Sequence, residues 1–467
     1  MRITRHRPAT CRETEGEIKI TRKNGSLLVG LLWCLALLSV IVIGVLHTAR
    51  MDLLVVKNQG DQIQAHYLAL AGIERAEALL YQDARDRTRT RKNHTGDLYD
   101  DAQHFRDVPL GRGVLRVFRR ARPDEGGGIV FGVGDEESRL NANTASADML
   151  AKVQGMTPDV ATAIVDWRGG DSTTTAAETE YYAGLQPPYQ PRNGPLETVR
   201  ELLMVRGVTP ELLLGSDAHQ NGLVEAAGEN GSDFAFADSV DSSDLGWAGI
   251  LTVDSAVQNV NAAGEDRVNI QSADQSTLTT LPGVTSQIAR AIVAYRGQHR
   301  FESIADLLDV TPPQNQGQSG SGRSGGSDNS DSGQSGSRVV GEDLFEDIAD
   351  DVTTETSRTL PGAININTAS LDVLACLPDI SRELAQAIIS QRQSGGFFAS
   401  TGELLKVPGV TRAIFKELAP LVTARSETFR ILSEGKVNST GARQRIQVIV
   451  HIGLSDINTL SWREDDL

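Results

Sequence analysis

The sequence predicts an α+β protein: a long N-terminal helix, then a small antiparallel sheet split by a large helical insertion. Three observations carry this. An uncharged apolar run from Ser26 to Leu46 continues into helically spaced apolar residues as far as Leu80. Segments of alternating pattern lie at 105–140 and again at 426–453, with no comparable stretch between. The intervening residues, 141–425, repeat one pattern of paired short helices three times.

The N-terminal segment comes first. Residues 26–46 hold no charged side chain, and at about 1.5 Å per residue a helix of that length crosses a hydrocarbon core of about 30 Å. Arg2, Arg5, Arg7, Arg12, Lys19, Arg22 and Lys23 outweigh Glu13, Glu15 and Glu17 ahead of it, so the N-terminus is expected on the cytoplasmic side and everything after Arg50 outside. The pattern runs on without a cleavage-like break through 47–92 (Leu54, Ala65, Leu68, Ala69, Gly72, Ile73, Ala76, Leu79, Leu80), as an amphipathic continuation of the same helix.

The strands follow. Around "GVLRVFRRA", Val114, Arg116 and Phe118 alternate with Leu115, Val117 and Arg119, and Gly126 to Gly128 mark a turn. "TFRILSEGKV" and "RQRIQVIVHIG" form a second pair around the turn residues Asn438 to Gly441. The repeats between them are "NANTASADMLAKVQGMTPDVATAIVDWR" (141–168), "NIQSADQSTLTTLPGVTSQIARAIVAYR" (269–296) and "NINTASLDVLACLPDISRELAQAIISQR" (365–392). Each has a small polar cap, a short helix, a tight turn and a second helix ending in arginine, which is the helix-hairpin-helix pattern. Partial echoes follow each repeat, at "GPLETVRELLMVRGVTPELL", "RFESIADLLDV" and "GFFASTGELLKVPGVTRAIFKELAPLV". Residues 314–338 are rich in Gly, Ser and Gln with no aromatic or aliphatic side chain, a composition expected to be disordered.

Composition narrows the function. A formal charge of −16 opposes general nucleic-acid binding, which draws its affinity from clustered Lys and Arg. The hairpin turns agree: Gly155-Met156-Thr157, Gly283-Val284-Thr285 and Asp379-Ile380-Ser381 all lack the second glycine that lets a phosphate approach the backbone. Cys11, Cys34 and Cys376 make neither a disulfide framework nor a metal site by spacing. No nucleophile, base and orienting group recur in a recognisable arrangement, so no enzyme is expected.

Basic residues, Gly25, an uncharged run and a long amphipathic helix together resemble a type IV pilin or pseudopilin leader. That resemblance implies prepilin peptidase cleavage between Gly25 and Ser26, leaving 1–25 as the removed leader and Ser26 as the methylated N-terminus. Major pilins carry a glutamate at the fifth mature position, where this chain has Gly30. Its absence, with the run Tyr181-Tyr182, Pro187-Pro188-Tyr189 and Arg192-Asn193-Gly194-Pro195, resembles protein K of the type II secretion system. The resemblance implies a minor pseudopilin of the inner membrane with its main domain in the periplasm. It would cap the pseudopilus tip and help initiate its assembly. The implied partners are other minor pseudopilins, the inner-membrane secretion platform, and a secreted substrate or the outer-membrane channel. It also implies calcium held by Asp171 and Glu178, with Gly169 and Thr179 standing where the family has aspartates and Asp166 and Glu180 as substitutes; a solvated acidic loop is the alternative. A membrane-anchored DNA-binding protein of an uptake apparatus would share the helix and the hairpins.

Overall fold

The computed structural model describes residues 24–93, 97–169, 176–217, 245–312 and 338–464. Residues 1–61 and 62–467 are separate compact units. One helix, α1, spans Asn24–Thr90. In the first unit its apolar side chains, Leu27, Trp33, Ile41 and Leu46 among them, are exposed, and the helix is long and apolar enough to cross a membrane. The hydroxyls of Ser39 and Thr48 donate to the carbonyls of Leu35 and Gly44 at 2.8 and 3.0 Å, which satisfies these polar groups within the helix.

From Gln62 onward α1 belongs to the second unit and packs on an antiparallel sheet. Its strands are β1 (Val108–Leu110), β2 (Gly113–Val117), β3 (Gly134–Asp135), β4 (Thr428–Val437), β5 (Arg443–Ile452) and β6 (Ile457–Arg463). The order is β1-β2-β4-β5-β6, with β3 also paired to β4. Ala69, Ile73, Ala76, Leu80 and Ala84 recur every three or four residues, and this stripe fits against Val117, Phe429, Ile431, Ile446, Val448, Val450 and Ile452. Small residues set the closeness of the contact. A Cβ on Gly435 would collide with the carbonyl oxygen of Ala65 and lie 2.5 Å from the amide nitrogen of Ala69. Strand β6 lies beyond the residues expected to form strands. Ile457, Leu460 and Trp462 split its apolar side chains between both faces, as an exposed edge strand allows, so no half-buried alternation marks it.

The mixed fold class expected from the sequence is the one observed. Between β3 and β4 the chain leaves the sheet and builds three closely equivalent units on one hydrophobic core. Each is closed by a two-residue parallel pairing: Leu140–Asn141 with Leu251–Thr252, Val268–Asn269 with Val352–Thr353, and Ile364–Asn365 with Val422–Thr423. The repeated sequence explains the repeated geometry. Oδ1 of Asn141, Asn269 and Asn365 accepts from the amide two residues on, at 2.8, 2.9 and 2.9 Å. Arg168, Arg296 and Arg392, ending the second helix of each hairpin, return to carbonyls at its start: Ala142 and Ala145, Ile270 and Ala273, Ile366 and Ala369. Thr252, Thr353 and Thr423 then accept from the amides of Asp254, Glu355 and Arg425 as each unit closes.

The echoes are the second halves of these units. Each combines a 3-10 turn (Val199–Met204, Ile304–Asp309, Thr401–Lys406) with a short helix (Pro210–Leu214, Glu342–Ile348, Arg412–Leu418). The second unit is thus longer than its recognisable sequence at 269–310. Its chain resumes where the Val339 amide donates to the Val310 carbonyl at 3.0 Å, the place its siblings fill with the turns at Gly207 and Gly409. The linker expected to be disordered at 314–338 lies outside the described residues except for Arg338. The second and third units also exchange contacts: Phe345 and Phe415, at equivalent positions, meet edge to face at 5.5 Å, flanked by Lys416 to Asp306 (2.5 Å) and Lys406 to Glu346 (2.7 Å).

Candidate functional site

Gly25 and Ser26 lie in the N-terminal turn of α1. Gly30 follows on the exposed surface, with no atom within 4 Å of where a Cβ would stand.

At the three hairpin turns Gly155, Gly283 and Asp379 take φ of 77°, 70° and 54°. The next residues, Met156, Val284 and Ile380, are buried in the core. Thr157, Thr285 and Ser381 then cap the following helices, their hydroxyls accepting from the amides of Val160, Ile288 and Leu384. Those helix N-termini therefore already have an acceptor. The nearby cations are engaged locally: Lys152 Nζ donates to the Leu377 carbonyl at 2.6 Å, Arg290 to the Ser286 carbonyl at 3.1 Å, and Arg382 pairs with Asp372 at 3.0 Å. Among the described residues no basic cluster forms at these turns.

Of the residues linked to calcium, Asp171 lies outside the described residues, and Glu178 has its backbone in the helix Ala176–Ala183. Asp166 is buried and Glu180 exposed. Among the described residues no group of three or more His, Cys, Asp or Glu is placed to hold a metal. The tyrosine and proline run beside them is structural. Trp167, Tyr182 and Tyr189 pack with ring centroids 5.2 to 6.0 Å apart, the Tyr182 hydroxyl accepts from the Arg206 amide at 3.0 Å, and Trp167 Nε1 donates to Glu201 at 3.1 Å.

Sequence reasoning passed over Asp135, Glu136 and Glu137, all fully or nearly buried where the sheet meets the hairpin units. Asp135 accepts from the hydroxyls of Thr368 and Ser426 and, at 3.2 Å, from Asn365 Nδ2. Glu137 accepts from the amides of Ala256 and Thr428, both at 3.1 Å. Burial, reinforced by the neighbouring Asp135, pushes the Glu137 carboxyl well above the usual range; burial also raises Asp135 against its hydrogen bonds. For Glu136, burial is outweighed by the guanidinium groups of Arg430 (2.6 Å) and Arg139 (4.0 Å), which hold it below the usual range. These three residues tie β3, the exit of the first unit and the start of the third unit to one point. The available signal was three consecutive acids, Asp135 to Glu137, lying between the apolar stretch that ends at Val133 and the apolar Leu140, a place where a solvated run would leave the strand pattern unexplained.

Beside this joint lies a cleft of about 480 Å³. Its floor is the sheet face opposite α1, with Leu432, Gln447, Ile449 and Ser461, and its walls come from residues 118–122, 134–139, 197–200, 245–254 and 370–373. Burial and the nearby Arg430 lower the Arg139 guanidinium to about 10, and burial together with Glu136 raises the Asp254 carboxyl to about 6.

Comparison with known proteins places this geometry. Residues 264–312 and 362–423 match the helix-hairpin-helix motif, covering much of the second and third units. The chain is 29% identical over 170 residues to endonuclease/exonuclease/phosphatase family domain-containing protein 1 of Mus musculus and 28% identical over 169 residues to that of Homo sapiens, in each case over 34% of this chain. It spans only 28% of the length of these curated relatives. Among solved structures, the GspK–GspI–GspJ complex of the enterotoxigenic Escherichia coli type 2 secretion system aligns over 88% of this chain and 98% of the matched chain, with 13% identity and a TM-score of 0.42. Residues 133–215, running from the buried acids through the tyrosine and proline run, match the family model for protein K of the type II secretion system. Through that segment the chain is protein K-like, and the resemblance read from its sequence holds.

Proposed function

We propose that the chain is a minor pseudopilin of a type II secretion system, a structural subunit that performs no chemistry itself. The observation that carries this is the protein K match over 133–215, in a chain whose α1 presents a long exposed apolar surface before it reaches the sheet. In this reading the apolar part of α1 holds the subunit in the inner membrane and then packs against the helices of other minor pseudopilins. The three hairpin units form a periplasmic head at the pseudopilus tip, facing secreted protein or the outer-membrane channel. Gly30 fits a first-added subunit, because an unpaired carboxylate at that position would be costly in lipid. Calcium at Asp171 and Glu178 belongs to the same reading and rests on the resemblance. Titration of the purified protein with calcium, followed by calorimetry, tests it; absence of heat above the dilution control removes calcium from the account.

Mass spectrometry of the mature N-terminus tests the central proposal. The expected product begins at Ser26 and carries a methyl group on its amine. A head released as a soluble product trimmed beyond residue 46 overturns the reading. The helix-hairpin-helix matches favour one rival, a membrane-anchored DNA-binding protein. Tight binding to duplex DNA that weakens steeply with salt would support that rival; the engaged cations at the hairpin turns predict no such binding.

A further inference from the structure

The three acids at the joint between sheet and hairpin units are not alike. Glu136 holds Arg430 at 2.6 Å and Arg139 at 4.0 Å. Asp135 and Glu137, 5% and 0% exposed, have no ion-pair partner within 4 Å among the described residues. The side chain of Glu137 is instead hydrogen-bonded to that of Asp135. Two ionised carboxylates have no donor between them, so this bond requires a proton. The remaining donors come from separate parts of the chain. The hydroxyls of Thr368 and Ser426 and Nδ2 of Asn365 reach Asp135, the amides of Ala256 and Thr428 reach Glu137, and the Asn365 amide donates to the Glu137 carbonyl at 2.8 Å. Asp135 is itself paired with Phe429 in the sheet. Other titratable and charged groups surround the pair without neutralising it. Arg87 of α1 and Arg425 are both committed to Glu427 at 3.4 Å, His451 Nδ1 lies 3.4 Å from the Thr428 hydroxyl, and Asp254 lies near Glu136. Tyr99, which bonds Ser426 and lies near Asp83 of α1, has its phenol held well above the usual range by burial and by Asp135.

We infer that Asp135 and Glu137 hold one proton between them, and that this proton latches the sheet to the hairpin units, the joint loosening when base removes it. With the proton in place, Glu137 donates to the Asp135 carboxylate, whose charge is spread over the hydroxyls of Thr368 and Ser426. Hydroxide takes that proton from the Glu137 carboxyl to give water, and the donor–acceptor bond becomes a contact between two anions. No cation offsets them in a site that excludes water, so they separate and carry β3 away from the third unit. The sign is fixed by the direction of the shift. Burial and Asp135 raise the folded value of Glu137, so the latch is complete at acid pH and is lost as pH rises through that raised value. The inference goes beyond the secretion proposal and stands on the joint alone, so a failed leader analysis would leave it intact.

Hydrogen exchange of the full chain in detergent, read by mass spectrometry from about pH 6 to about pH 9.5 and corrected for intrinsic exchange, tests it. Peptides containing Ala256, Asn365 and Thr428 should lose protection with a limiting slope of about tenfold per pH unit, the signature of one linked proton. The helix Ser286–Arg296 of the second unit should keep its protection throughout. Asp135→Asn should flatten the slope, because the side-chain amide can donate to Glu137 once that carboxyl ionises. His451, Asp254 and Tyr99 remain in that variant, so a slope arising from them would persist. Infrared spectroscopy of the unaltered chain gives a second reading that does not depend on the folding of the variant: a protonated-carboxyl band should disappear in step with the loss of protection. Flat protection in the parent, an undiminished slope in Asp135→Asn, or protection lost with no change in the carboxyl band overturns the inference.

Discussion

Replacing Arg392 by methionine should cost far more stability than the same change at Arg296, although the two arginines hold the same position in consecutive repeats. Arg392 is 7% exposed; it donates to the carbonyls of Ile366 and Ala369 at 3.0 and 2.8 Å and pairs with Asp124 at 2.9 Å. Removing it strands two carbonyls and leaves a mostly buried carboxylate with only the longer 3.6 Å contact to Arg122, a loss of about 3–5 kcal/mol by analogy with broken buried pairs. Arg296 is half-buried, makes the equivalent carbonyl contacts at 3.4 and 2.5 Å, and has no carboxylate within 4 Å among the described residues. Its loss should cost about 1–2 kcal/mol, because water can reach what it leaves behind. Urea unfolding of both variants, followed by tryptophan fluorescence and circular dichroism, should separate their midpoints accordingly. Asp124→Asn in the Arg392→Met background should then restore at least about 1 kcal/mol relative to additivity, since the stranded charge is gone. Equal midpoints for the two single variants, with additive behaviour of the double, would refute the argument that the Asp124 contact distinguishes the repeats.

Two further outcomes follow from close packing and from charge. Gly435→Ala should destabilise the second unit by about 3 kcal/mol, because the added methyl meets the backbone of α1 at Ala65 and Ala69, which has no side-chain freedom with which to yield; a thermal melt within one degree of the parent would show that the helix can lift. Asp254 has its folded pKa raised from 3.8 to about 6, so its proton stabilises the folded state fully below pH 3.8, and that contribution is lost as pH rises through 6. Asp254→Asn should therefore raise the melting temperature at pH 7.5 and leave it little changed at pH 3.5, the reverse order counting against the burial of that carboxyl.

Local sequence determined the parts that recur. Asn at the start of each hairpin, Ser, Thr or Asp as helix cap, and Arg at the end of the second helix interact within one unit, so their spacing alone specifies the bonds they form. The long apolar run was legible for the same reason: its chemistry is set by what it lacks. Other features depended on distant partners. The second half of the second unit could not be read because 313–337 interrupt the register between Val310 and Val340, and only the Val339 to Val310 bond shows the chain resuming. β6 escaped notice because an edge strand has no buried face to impose alternation.

What the sequence alone determined about this protein was its inventory: an apolar stalk, strand-forming ends and three hairpins, each encoded within a few tens of residues. Tertiary structure decided which acids are buried, which arginine meets Asp124 and where the sheet and hairpins enclose a cleft. Those outcomes arise between residues as far apart as Asp135 and Ser426, whose hydrogen bond of 2.6 Å exists only once β3 and β4 lie side by side. Desolvation, and with it the titration of those buried carboxyls, is a property of the assembled neighbourhood rather than of any segment.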